Sequence, residues 1–257
     1  MIVIDNRDTK KLSSNEFEAF ASPVDTKYFG VVSAKVVLKK ACLDPQSQDE
    51  LLGFLQNFEF VTIINRLNDS SNNRWLGQKS NAFLTDINMQ LRKNVTVTGE
   101  HDHHSLMISD RLPEDGRIIQ IAETSFEFSR FLNDPFLPPE KARRIYGDIT
   151  KNAFGKAGRF FVLFKTEDVI TGFLLFSMDE PALSSRIELV AIDQNYKSQG
   201  IGRSLINAME SYVRRRRINT VAVGTQLDNI GALKFYTSMG FSYYEHNSIY
   251  HYWPFRS

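Results

Sequence analysis

A single cysteine, Cys42, in 257 residues leaves no material for an internal disulfide framework and fits a reducing cytoplasm. An excess of charge of either sign is also lacking: 31 Lys and Arg stand against 30 Asp and Glu, so a net +1 provides no basic field for nucleic acid or an anionic membrane. No apolar run approaches the length of a membrane-spanning helix. Met1-Ile2-Val3-Ile4 is too short, and too soon followed by Asp5 and Arg7, to be a signal peptide. The chain therefore reads as cytoplasmic, with no membrane and no nucleic-acid partner, and the Asn94-Val95-Thr96 sequon has no consequence there. No metal is expected. His101-Asp102-His103-His104 sits in a polar linker where adjacent side chains point in different directions and no second ligand group follows at an interpretable spacing; it reads as a solvated loop. The run Arg214 to Arg217 could meet a nucleotide phosphate, but four cations at a helix C-terminus are accounted for by the macrodipole and solvent.

Apolar residues are plentiful at 42%, with 12% aromatic, enough for a sizeable core in one large domain or two small ones. No sequence repeat is visible. Polar residues over 98–116, ending in Leu112-Pro113-Glu114-Asp115-Gly116, interrupt the apolar pattern and predict a boundary. The expected organisation is an N-terminal α/β domain over 1–110 and a second domain over 111–257. In the first, Val31 to Leu38 and Glu59 to Leu67 read as strands around a helix from Gln48 to Asn57, and alternation from Phe83 to Arg92 predicts a half-buried strand. This order resembles part of the fold expected for the second domain, without obvious chemistry of its own. In the second, helices are predicted around Ile118 to Phe126 and from Pro139 to Ile149, followed by a hairpin of Phe160 to Phe164 with Val169 to Met178.

The densest signal follows. The apolar, partly β-branched run Ile187 to Ile192 predicts a buried strand, and Ile201, Leu205, Ala208, Met209 and Tyr212 recur at helical spacing. Between them lies Lys197-Ser198-Gln199-Gly200-Ile201-Gly202. Glycines there would leave the amides of Gln199 to Ser204 free to meet an anion at the helix start, with Lys197 and Arg203 adding charge. Alternatively, the glycines only pack the helix closely on its sheet. About thirty residues on, a second strand, Ile218 to Thr225, leads through Asn229 into a helix bearing Ala232, Tyr236 and Met239, then turns at Gly240-Phe241. Two parallel strands would splay between these elements, and such gaps hold ligands.

These two patterns resemble the GCN5-related N-acetyltransferase (GNAT) superfamily over residues 115 to 257, with Lys197 and Ser198 standing where that family prefers Arg or Gln, and Gly. The resemblance implies an α/β fold with a mixed, splayed central sheet flanked by helices, and acetyl-CoA as the cofactor. It implies cofactor contacts from a strand bulge near Val190 and Ile192, from Lys197, Gln199, Gly200, Ile201, Gly202, Arg203 and Ser204 at the pyrophosphate turn, and from Asn229. Tyr236 takes the place of the phenol that protonates the departing thiolate, or else merely packs its helix; Asn229 could equally cap that helix. Glu188 is the general-base candidate, against a plain exposed carboxylate, since water can relay the proton.

Scattered segments add a narrower likeness. Tyr28-Phe29-Gly30-Val31, Ser129-Arg130-Phe131 with Pro138-Pro139, Thr225-Gln226, and the tail Ile249 to Trp253 resemble the dTDP-fucosamine acetyltransferases, which acetylate the 4-amino group of a dTDP-linked 4-amino-4,6-dideoxyhexose. A small-molecule amine, in this likeness a nucleotide sugar, is then the acceptor, and a homodimer is left open. Arg130 for phosphate, Phe131 for thymine and Asp134 would form the acceptor site, or else only anchor their loop by ordinary packing.

Overall fold

A computed structural model of the chain describes residues 10–95 and 106–256. The segment Met1 to Ile4, the His101 to His104 cluster and Thr96 of the sequon lie outside the described residues. The chain forms two compact units, which are not cut at residue 110. The first comprises residues 1–89, 129–141 and 245–257, the second 90–128 and 142–244. The loop carrying Arg130, Phe131 and Asp134, expected in the second domain, thus belongs to the first unit.

In the first unit, β1 (Lys11–Ser13) and β2 (Phe17–Ala21) lead through α1 (Pro23–Phe29) to β3 (Ser33–Leu38). The chain continues through α2 (Pro45–Leu55), β4 (Phe60–Arg66) and α3 (Ser70–Lys79) into β5 (Phe83–Asn94). The strands run antiparallel from β1 to β2 to β3, then β3 and β4 pair in parallel across the α2 crossover. Side chains alternate across these strands, so Val36, Val61 and Ile63 turn one way and pack with Leu51 and Leu55 of α2 and Trp75 and Leu76 of α3.

In the second unit, β6 (Leu106–Ser109), α4 (Gly116–Ser125) and α5 (Pro139–Lys151) precede the hairpin of β7 (Arg159–Thr166) and β8 (Val169–Asp179). Glu167 and Asp168 both take positive φ, 49° and 65°, as a tight hairpin turn demands, although neither is glycine. Then come β9 (Ser184–Ile192), α6 (Ile201–Arg215), β10 (Thr220–Gln226), α7 (Ile230–Ser238) and β11 (Ser242–Tyr252), whose last residues pair with β4 in the first unit. β6 to β9 are antiparallel neighbours, and β9 and β10 are parallel. The amphipathic α6 buries Leu205, Ile206, Met209 and Val213 against one face, and α4 buries Ile118, Ile121 and Ala122 with residues of the other. Truncating a fully buried leucine such as Leu205 would cost about 2–5 kcal/mol.

Both units share one order. An antiparallel strand pair is followed by helix, parallel strand, helix and strand, as β2-β3-α2-β4-α3-β5 and again as β8-β9-α6-β10-α7-β11, with α1 inserted in the first.

Candidate active site

β9 is irregular where the chemistry is expected. Leu175 of β8 pairs with Leu189, but its neighbour Phe176 pairs with Ile187, leaving Glu188 as an extra residue in β9. The bulge shifts the faces of the strand. Ile187 lies in the core beneath α6, Leu189 and Ala191 in the core beneath α4, and Val190 and Ile192 again with α6. Pairing with β10 stops at the same place: Thr220 to Val223 match Ser184 to Ile187 and nothing beyond. The two parallel strands have parted.

That parting exposes backbone. The amide of Asp193 donates to the Thr171 carbonyl of β8 at 2.9 Å. Backbone direction alternates along a strand, so Ala191 also faces β8, while the amides of Val190 and Ile192 face the side from which β10 has departed. On that side the Ile192 carbonyl accepts from the Ser125 hydroxyl of α4 at 3.3 Å. The end of β9 is fixed by α4 in other ways as well. Arg117 pairs with Asp193 and donates to the Ile170 carbonyl, and Gln194 donates to the Thr124 carbonyl. The Asn195 amide and then the Arg117 guanidinium hold the Asp193 carboxyl below its usual range.

After β9 the chain makes a short 3-10 turn at Gln194–Tyr196 and reaches the α6 start through Ser198 and Gly200 in left-handed conformations, φ 63° and 81°. Asp44, Asp69, Asp115 and Asn229 each place a side-chain oxygen on the first amides of α2, α3, α4 and α7. The α6 start has no such cap. The first amide to bond back is Ser204, to the Gly200 carbonyl, so those of Ile201, Gly202 and Arg203 remain for an anion. Lys197, Gln199, Gly200 and Arg203 are exposed around them, and Ser204 is partly exposed. The two glycines divide the two explanations between them. Gly200 needs its left-handed φ, whereas a Cβ on buried Gly202 would stand 3.1 Å from the Phe235 ring and 3.3 Å from Ile192, so Gly202 serves close packing.

Asn229 caps α7, its Oδ1 accepting from the Ala232 amide at 3.0 Å. The side-chain amide nitrogen is left for another partner. Two turns along, Tyr236 is 7% exposed, with its ring edge-on to Phe241 at 5.6 Å. Its hydroxyl has no hydrogen-bond partner among the described residues, and burial pushes its phenol well above the ordinary tyrosine range. It carries its proton at any physiological pH. Glu188 is partly buried and meets Arg159 Nε at 3.3 Å, an ion pair between residues 29 apart in the chain that no local pattern announces.

The acceptor residues of the first unit look different from what was expected. Asp134 is fully buried, and its carboxylate accepts from His251 Nδ1 at 2.6 Å, Trp253 Nε1 at 3.0 Å and the Phe136 amide at 2.8 Å. It is an internal brace, with no lone pair turned to a ligand. Phe131 is 4% exposed, set between Phe29 at 5.3 Å and His251 at 5.9 Å, while Arg130 stacks on it at 4.1 Å. Its faces are taken, so it cannot receive a base. Arg130 alone of the three remains accessible. No group of metal-ligating side chains occurs among the described residues.

Residues 117–241 match the Acetyltransferase (GNAT) family. They carry the GNAT fold. The bulged β9, its splay from β10 and the uncapped α6 all lie within that match, and acetyl-CoA is the acyl donor of the GNAT family. The chain is 28% identical over 146 residues to the spore coat polysaccharide biosynthesis protein SpsD of Bacillus subtilis, covering 55% of this chain and 50% of that protein. It is 28% identical over 98 residues to N-acetyltransferase 8 of Homo sapiens, with 37% and 43% covered. The chain thus spans about half the length of the curated relatives it matches. Solved structures share the fold over the GNAT domain and beyond it. A GCN5-related N-acetyltransferase from Kribbella flavida has a TM-score of 0.60 at 11% identity, covering 96% of this chain and 90% of that one. A tandem GNAT protein from the clavulanic acid biosynthesis pathway has 0.59 at 11%, with 94% and 84% covered. The Sphaerobacter thermophilus enzyme of the family has 0.58 at 14%, with 92% and 76% covered.

The shared order of the two units shows what the first one lacks. Leu67-Asn68-Asp69 precedes α3 as Leu227-Asp228-Asn229 precedes α7, and seven residues past each cap stand Leu76 and Tyr236. At the other helix, Asp44 fills the α2 start that Gly200 leaves open at α6. The first unit keeps the scaffold without the uncapped helix start or the tyrosine.

Proposed function

We infer that the chain transfers an acetyl group from acetyl-CoA to the amine of a nucleotide-linked amino sugar, of the dTDP-4-amino-4,6-dideoxyhexose class. The observation that carries the transfer is the uncommitted, neutral phenol of Tyr236 on the helix that follows the splayed strand. Bound acetyl-CoA supplies the acetyl group as an activated thioester. The amides at the start of α6, with Lys197 and Arg203, hold the pyrophosphate, and the amides of Val190 and Ile192 hold the acyl arm and polarise its carbonyl. Asn229 contributes its free side-chain nitrogen. The amine nitrogen attacks the carbonyl carbon, the carbon–sulfur bond breaks, and Tyr236 gives its proton to the departing sulfur. Glu188, or water relaying to it, takes the proton that the new amide sheds.

The sugar-nucleotide acceptor is supported by the motif likeness of the N-terminal segments, by Arg130, and by the similarity to a protein described as acting in spore coat polysaccharide biosynthesis. Other amines, such as a polyamine, an antibiotic or a protein N-terminus, compete with it, as does binding of acyl-CoA without catalysis. Release of free thiol, followed with each acceptor in turn at fixed acetyl-CoA, separates these. We expect the dTDP-amino sugar to give the highest kcat/KM. Faster turnover of a peptide or polyamine would overturn the sugar assignment, and cofactor binding with no thiol release from any amine would overturn the enzyme.

A further inference from the structure

Polar groups that find no partner gather on one face of the first unit. Strand register sets Lys35 of β3 beside Thr62 of β4, and Thr62 beside His251 of β11. Residues opposite one another share a face, and with strands about 4.8 Å apart the three form a strip roughly 10 Å long. It lies on the side away from the α2 and α3 core, to which Val36, Val61, Ile63, Tyr250 and Tyr252 turn. The 129–141 segment meets this strip: Phe131 packs on His251, and Arg130 stacks on Phe131. Among the described residues, four buried side-chain nitrogen or oxygen atoms have no hydrogen-bond partner. Thr62 Oγ1, His251 Nε2 and Arg130 Nε belong here; the fourth is Trp75 Nε1.

Two cations complete the cluster. Lys35 and Arg130 are both partly exposed, and neither forms a hydrogen bond or ion pair among the described residues. Asp25, the carboxylate that acts on Lys35, instead accepts the Ser22 hydroxyl at 2.7 Å. Burial, and then the charge of Arg130, push the Lys35 ammonium below its usual range. Holding two unpaired like charges half out of water is unfavourable for the folded chain alone, and becomes favourable once an anion lies between them.

We propose that Lys35 and Arg130 bind the diphosphate of a nucleoside-diphosphate acceptor, Arg130 as a planar fork backed by Phe131 and Lys35 as a point charge. The proposal rests on the sugar-nucleotide reading above and adds Lys35, which no motif marked. Phe131 serves as the plate that orients Arg130.

Calorimetric titration of thymidine diphosphate into the full chain, with acetyl-CoA already saturating, tests it, because the pyrophosphate turn of the GNAT domain is then filled. We expect Lys35→Met and Arg130→Met each to weaken thymidine diphosphate at least tenfold and Lys35→Arg to stay within threefold of the parent, with acetyl-CoA affinity unchanged in all three. Because the lost charge had no partner, Lys35→Met should melt at or above the parent temperature; should it melt lower, Lys35→Gln carries the same comparison. Parent protein that takes up acetyl-CoA but not thymidine diphosphate overturns the site and leaves acetyl transfer to another amine standing. Unchanged affinity in Lys35→Met overturns the role of that lysine. Binding of thymidine diphosphate without any turnover of amino sugars upholds the site and sinks the catalytic reading.

Discussion

Tyr236, which we propose as the donor of the proton to sulfur, is buried where its ionisation is costly. Its phenol, raised by burial, keeps its proton through the physiological range, and transfer to sulfur becomes about 1.4 kcal/mol harder for each pKa unit by which donor exceeds acceptor. Removing the hydroxyl while keeping the ring should therefore expose its whole contribution. For Tyr236→Phe, kcat is expected to fall by about 100-fold or more, with acetyl-CoA affinity unchanged by calorimetry. Near-full turnover would mean that water protonates the sulfur. Asp134 and His251 make a different prediction, about stability. Burial lowers His251 below its ordinary 6.5 despite the opposing carboxylate. Burial would raise Asp134, but the hydrogen bonds from His251, Phe136 and Trp253 outweigh it and bring the carboxyl below 3.8. In both cases the unfolded chain binds protons more readily, so their contribution is present above about pH 6.5 and is lost as the pH falls, first through the histidine and then the carboxyl range. The melting temperature should be level from pH 8 to 7 and drop below 6.5, and Asp134→Asn should cost about 2–3 kcal/mol in urea unfolding at pH 7. A flat acid limb would show that the pair is not neutral histidine with carboxylate. In the sequence Asp134 stands as a loop carboxylate between Asn133 and Pro135; only His251 and Trp253, more than a hundred residues away in the chain, reveal it as a brace.

At the scale of the element, β9 and α6 were plain in the sequence because periodicity and glycine placement are local. The end of their pairing was not. The family likeness implied a bulge, but nothing within Ile187 to Ile192 marks Glu188 as the extra residue; the register against β8 decides that. α3 is illegible in the sequence for another reason. Its sequence, Ser70-Ser71-Asn72-Asn73-Arg74-Trp75-Leu76, offers few apolar positions, and it is held through the Asp69 cap and the buried Asn72, whose amide nitrogen donates to the Lys40 carbonyl at 2.9 Å. The short β1, β2, α1 and β6 were likewise below what a periodic pattern can show. The uncapped α6 start carries its own prediction. Lys197→Glu and Arg203→Glu, both at exposed sites, should each weaken acetyl-CoA about fivefold and more at low salt, with no change in melting temperature for the free protein. An affinity indifferent to both would place the pyrophosphate elsewhere. Gly202 is the poorer probe, since any side chain there disturbs Phe235 before it meets a phosphate.

For the whole molecule, the similarity of the two units matters through a single carboxylate. Asp44 accepts from the Ser47 amide at 2.8 Å at the helix start that corresponds to the open one of α6, and a carboxylate already seated on those amides repels a second anion. A chain that carries the scaffold twice should consequently count as one when titrated: acetyl-CoA is expected to saturate at a single equivalent per polypeptide, with one class of sites, and a measured stoichiometry near two would mean that Asp44 yields its place.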